Sequence, residues 1–276
     1  MQTKGTDNAP QPAADAEDTS TTAPEEPAQQ QPKRLFVALL PDDACRQALI
    51  ATQRQAAPGL ARARFTAPEN LHLTLAFLGG CDAAAEHTAR RAVAAAARRM
   101  ACTPGGAAPL ALRLGPVGAF ARRRGGSVLW RGVGTGEGPA EPVEPRDEGG
   151  TGAAQVARLL TLHRLLCAAL AAEGLPLEAR FTPHLTLARG VRLEKPIAPP
   201  PASGQAAAQA RQRDAARARA LDAFCHKLST TAPAGMLACT ALSLMWSHRA
   251  EPEHTLVYTE IARADWTGTH SDRPCR

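Results

Sequence analysis

The chain has 276 residues, of which 44% are hydrophobic and 21% charged, and its formal net charge is +6. That length suffices for one large domain or two small lobes around a core, and the modest positive charge favours an anionic partner. Seven scattered cysteines, odd in number and without a CxxC or Cys/His ligand spacing, argue against a disulfide framework and a structural zinc site. No apolar h-region follows Met1 and no run approaches the ~18 apolar residues of a membrane span, so the expectation is a cytoplasmic protein with no membrane partner.

Residues 1–32 hold six acids against one base, with no periodic apolar pattern, and are expected to form a disordered tail. Order should begin with a short strand at Arg34–Leu40, stopped by Pro41. Asp42 then offers an N-cap for a helix to about Gln55. Asp82 to Met100 is almost pure Ala and Arg with no breaker and predicts a second helix. Leu110–Leu114 and Ser127–Val133 read as strands, and 134–152 is too rich in Gly and Pro for anything but a loop. A further helix is predicted from about Ala153 to Glu173, ended by Gly174. The Pro/Ala-rich stretch from 194 reads as an exposed insertion, extending to about 215, with helical propensity over Ala210–Leu228. Strands near Met236–Trp246 and Thr255–Ile261 close the domain, and 267–276 forms a C-terminal tail.

The tetrapeptide His-Leu-Thr-Leu occurs twice, at 72–75 and 184–187, each time behind a proline-bearing approach. A strand sends residues i and i+2 to one face. His72 and Thr74, and likewise His184 and Thr186, should therefore face one way, while Leu71, Leu73, Leu75, Leu185 and Leu187 enter a core. Strand-helix-strand units recur in both halves, each with one motif, as an internal duplication would leave them. Two imidazoles flanking one phosphorus atom can act as general acid and general base, and the threonine hydroxyls can bind non-bridging oxygens. Nothing nearby resembles a carboxylate cage, and the proton traffic needs no metal or cofactor. Arg189 lies an odd number of residues from His184, so strict alternation turns it away from the cleft unless the strand ends or bulges. The few aromatics (Phe36, Phe65, Phe77, Trp130, Phe181, Trp246) read mostly as core, with Phe77 a candidate for stacking on a base. The remaining histidines, His163 among them, read as surface or packing residues.

On the stretches RLFVALLPDDACRQAL, APENLHLTLAFLGG, GAF at 118–120 followed by VLWRGV, and FTPHLTLARG, the chain resembles the two-histidine (2H) phosphoesterases. More narrowly, it is similar to the bacterial RNA 2',3'-cyclic phosphodiesterases once called 2'-5' RNA ligases, over roughly residues 33–266. The resemblance implies an α+β fold of two pseudo-symmetric lobes, each an antiparallel sheet backed by helices, with both motifs lining the cleft between them. It implies hydrolysis of 2',3'-cyclic phosphate ends of RNA to 2'-phosphates by a monomer, with His72 as proton donor and His184 as proton acceptor. Thr74, Thr186 and Arg189 would bind substrate. The chain departs from the family pattern in lacking a Gly-Pro shortly before Tyr258, and in long insertions at 134–152 and 194–215. Three alternatives stay open: 2'-5' joining, a small-molecule cyclic phosphate substrate, and a non-catalytic nucleotide-binding module.

Overall fold

The computed structural model describes residues 31–121, 126–134, 152–175, 181–194, 206–252 and 254–268, apart from the side chains of 206–211. The expected N-terminal tail up to residue 30, most of the 134–152 loop, residues 195–205 of the insertion and the C-terminal tail from 269 lie outside the described residues. Strand β1 (Lys33–Leu39) leads into α1 (Asp43–Ala56), whose Asp42 cap accepts the Cys45 N–H at 2.8 Å. Strands β2 (Leu60–Phe65) and β3 (Leu73–Cys81) follow. Helix α2 (Ala83–Ala101) is capped by Asp82, which accepts the Ala85 N–H at 2.8 Å. After β4 (Leu110–Phe120) and β5 (Ser127–Gly134) come α3 (Gly152–Ala172), β6 (His184–Leu193) and α4 (Ala206–Thr231). The described chain closes with β7 (Met236–Cys239), β8 (Ala241–Ala250) and β9 (Thr255–Asp265).

Three elements differ from expectation. β2 was not predicted, because Leu-Ala-Arg-Ala-Arg-Phe lacks the apolar enrichment of a strand and forms only by pairing with β6. The predicted strand over 236–246 breaks at Thr240 into β7 and β8. Helix α4 starts at Ala206, inside the segment read as an insertion. The cysteines also depart in part: five are free thiols, whereas Cys102 is disulfide-bonded.

All strand pairs are antiparallel, in the order β7-β4-β5-β6-β3-β1-β8-β9, with β2 attached to β6. The fold is thus α+β, with two four-stranded halves whose innermost strands, β3 and β6, each carry one His-Leu-Thr-Leu. Helix α2 backs the β3-β1-β8-β9 half, while α1, α3 and α4 lie against the other. The leucines alternating with the motif residues enter the main core: Leu71, Leu73, Leu75, Leu185 and Leu187 are all buried. Helix α3 is long and apolar enough to cross a membrane by composition, but Leu159, Leu162, Leu166 and Leu170 are fully buried in that core. Arg131 on β5 is a buried cation held by neutral groups. It donates to the Thr52 hydroxyl at 2.8 Å and to the carbonyls of Gly115 at 2.8 Å and Pro233 at 3.0 Å, tying α1 to the sheet.

Candidate active site

The halves join at one antiparallel bridge, Leu73 to Leu185. Residues one step either side of such a bridge face each other across the strands. His72 therefore stands opposite Thr186, and His184 opposite Thr74. The two histidines are diagonal neighbours across that bridge.

Each imidazole is fixed by the same local device. The His72 Nδ1–H donates to the Asn70 carbonyl at 2.8 Å, and the His184 Nδ1–H to the Thr182 carbonyl at 2.7 Å. A carbonyl can only accept, so Nδ1 carries the proton in both rings and Nε2 is left for chemistry. Ring packing holds them as well. His72 lies 4.8 Å from Phe36 and 5.1 Å, edge-on, from Tyr258. His184 lies 5.0 Å, edge-on, from Phe120 and 6.2 Å from Trp130. The Trp130 ring covers Gly118, where a Cβ would come within 2.3 Å of it, and its buried Nε1–H has no partner among the described residues. Asn70 secures the Tyr258 side: its buried amide donates to the Leu256 carbonyl at 2.8 Å and accepts the Tyr258 N–H at 3.2 Å.

Arg189 reaches the cleft through a bulge. Trp130 pairs with Thr186 and Leu129 with Ala188, so Leu187 is the extra residue that shifts the alternation. Leu187 and Ala188 are both buried, and Arg189 comes out on the face of His184 and Thr186. The bulge is clamped from α1: the buried Gln53 amide donates to the carbonyls of Thr66 at 2.8 Å and Leu187 at 2.9 Å. Burial pushes the His72 pKa down to about 4, with the charges of Arg189 and His184 adding, against the upward pull of its carbonyl hydrogen bond. His184 is also lowered, by burial first and by Arg189. One guanidinium thus acts on both imidazoles.

Beyond the bridge β3 and β6 part around a cavity of about 200 Å³, lined by Thr74, Phe77, Phe120, Phe181, Thr182 and His184, with His163 and Cys167 of α3. Sequence reasoning assigned Phe77 and Phe65 mostly to the core, yet both are exposed, at 47% and 39%. His163, read as packing, does pack: it stacks on Phe181 with centroids 3.9 Å apart, but on the cavity wall. Asn70, Gln53 and Tyr258 were not read as site residues. Asn70 alone left a signal, as part of the Pro-Glu-Asn-Leu approach to the first motif. Among the described residues no group of three or more His, Cys, Asp or Glu is arranged to hold a metal ion.

Residues 40–220 match the family model described as the 2'-5' RNA ligase superfamily. No curated protein matches the chain. Among solved structures, one described as a phosphoesterase is 25% identical, covering 86% of this chain and all of its own, with a TM-score of 0.49. Escherichia coli LigT complexed with 3'-AMP is 24% identical over 86% of this chain and 99% of its own, with a TM-score of 0.49. A protein of Thermus thermophilus is 22% identical over 86% of this chain and all of its own, also at 0.49.

Proposed function

Since the chain belongs to the 2'-5' RNA ligase superfamily, we propose that it hydrolyses 2',3'-cyclic phosphate ends of RNA to 2'-phosphomonoesters by two-histidine acid-base catalysis. One observation carries the reading. Two imidazoles on strands joined at one bridge, each anchored through Nδ1 to the carbonyl two residues before it, keep Nε2 free, and one guanidinium acts on both. His184 takes a proton from water as it attacks phosphorus. His72 gives a proton to the departing 3' oxygen, so the bond to that oxygen breaks and the phosphate stays on the 2' position. The hydroxyls of Thr74 and Thr186 donate to the non-bridging oxygens, and Arg189 offsets the charge gathering there. Run backwards with a ribose hydroxyl in place of water, the same steps join ends in a 2'-5' linkage. Water at about 55 M favours hydrolysis unless a second end is held in place.

The test is incubation with an oligonucleotide ending in a 2',3'-cyclic phosphate, in EDTA, followed by location of the product phosphate. A 2'-phosphate is expected. A 3'-phosphate would reverse the leaving group, and an unchanged substrate would refute the reaction.

A further inference from the structure

Arg189 does not stand alone on its face of the sheet. The β2–β6 ladder places Arg64 directly opposite Arg189, and Arg62 directly opposite Arg192. Opposed residues of an antiparallel pair share a face. Arg62 and Arg64 are separated by one residue of β2, so all four guanidinium groups lie on the face that carries His184 and Thr186. The neighbouring pair Leu60–Leu193 points the other way and packs against the main core. All four arginines are exposed. Among the described residues none of them makes an ion pair.

Like charges directly opposed across strands destabilise a sheet, and this ladder holds two such pairs in succession. Positive charge on β2 has a structural use, since cations on an edge strand discourage pairing with other chains. That accounts for Arg62 and Arg64. It does not account for Arg189 and Arg192 on β6, which is flanked by strands on both sides. A row of unneutralised cations continuous with the reactive cleft is the electrostatic footprint of a polyanion.

We propose that Arg62, Arg64 and Arg192 form a track for the phosphodiester backbone of a single-stranded polynucleotide whose cyclic end lies between the histidines. This rests on the function proposed above and narrows it, because Arg192, with Gly190 bulged out between them, lies two ladder positions past Arg189, about 7 Å of strand. The single phosphate of a cyclic mononucleotide held at the histidines does not extend that far. The track therefore selects RNA ends over small cyclic phosphates.

The test uses the full-length chain and the double variant Arg62→Gln/Arg192→Gln, with Arg62→Lys/Arg192→Lys as the charge-retaining control. The first readout is binding of a fluorescently labelled single-stranded RNA of about twelve nucleotides as salt is varied; the second is kcat/KM on 2',3'-cyclic AMP. The Gln variant should bind the RNA about tenfold more weakly at low salt, and its log–log salt slope should be shallower by about 1.4, roughly 0.7 for each lost phosphate contact. Turnover of the cyclic mononucleotide should be unchanged, and the Lys variant should keep most of the affinity. Wild-type affinity and slope in the Gln variant would overturn the track. So would an equal loss on the mononucleotide, or polyglutamate displacing the RNA at matched charge. If the wild type binds RNA through these arginines but turns over no cyclic phosphate, the track stands and the proposed reaction falls.

Discussion

The pH dependence of turnover can be worked out from the free site. The reacting state needs one imidazole neutral and one protonated, whichever residue holds the proton, so the free protein contributes in proportion to its singly protonated pair. His72 sits at about 4, because burial and the Arg189 and His184 charges disfavour its cation, and His184 is also below its ordinary 6.5. At pH 7 only about one His72 in a thousand is protonated before substrate arrives. The bell in kcat/KM should therefore peak on the acid side, between about pH 4 and 6.5. It should fall tenfold per pH unit beyond the upper limb, so that at pH 8 it is at least about 30-fold below its maximum. A bound phosphodiester adds a negative charge that stabilises the imidazolium beside it, which raises both values in the complex. The kcat profile should accordingly extend further toward alkaline pH than the kcat/KM profile. Arg189→Gln removes a charge that depresses both histidines, so its kcat/KM optimum should move to higher pH even as KM rises. Steady-state rates on a cyclic mononucleotide from pH 4 to 9, with histidine Cε1–H shifts followed by NMR in the free protein, measure both halves. A kcat/KM that climbs steadily through pH 9 would mean hydroxide attack without a histidine acid, and the paired assignment would fail.

Substituting His72→Ala or His184→Ala should each remove at least about 90% of turnover, with the circular dichroism spectrum and Tm near wild type. The double variant should be scarcely worse than either single one, because the two act as a unit. Activity should be undiminished by EDTA and unaffected by adding Mg²⁺, Mn²⁺ or Zn²⁺ to chelated enzyme; restoration by any of these would contradict the mechanism. Gln53→Leu leaves the Thr66 carbonyl without its buried donor and should cost about 1–3 kcal/mol in urea unfolding. It should also raise KM several-fold with a smaller change in kcat, since the Leu187 bulge that presents Arg189 loses its clamp. An unaltered KM would mean that the bulge holds its shape without Gln53.

The sequence made the juxtaposed histidines legible because the signal is local and doubled. A histidine, a hydroxyl and their alternating leucines specify a face within four residues, and the same four residues recur in the other half. Arg189 was only half legible. Its distance from His184 was visible, but parity along a strand pointed it into the core, and what reverses that is a bulge clamped by Gln53, 134 residues away in the chain. No pattern within a short window carries such a contact. The β2 strand was hidden for a related reason. Arg62 and Arg64 make it look like a solvated linker, and its strand character comes from pairing with β6 rather than from its own composition. The aromatics misled because an exposed phenylalanine and a buried one have the same letter. Phe77 and Phe181 line a cavity, whereas Phe36 is buried beneath the His72 ring.

The two motifs also explain how one duplicated design yields two unlike halves. The bulge recurs at the matching place in each: Leu75 is the extra residue in β3, between the pairs Ala38–Thr74 and Val37–Ala76, as Leu187 is in β6. Each copy reads His-Leu-Thr-Leu-Ala, and the next residue, turned to the cleft by the bulge, is Phe77 in one and Arg189 in the other. Here a guanidinium and an aromatic ring stand at equivalent positions, so the field across the cleft is uneven. On the proposed function an anionic substrate is drawn toward Arg189, while the Phe77 side offers an apolar surface. The proposed chemistry needs the repeat, to put two imidazoles on one phosphate. The divergence at one position makes the two sides of the site unlike, a cation on one and an aromatic ring on the other.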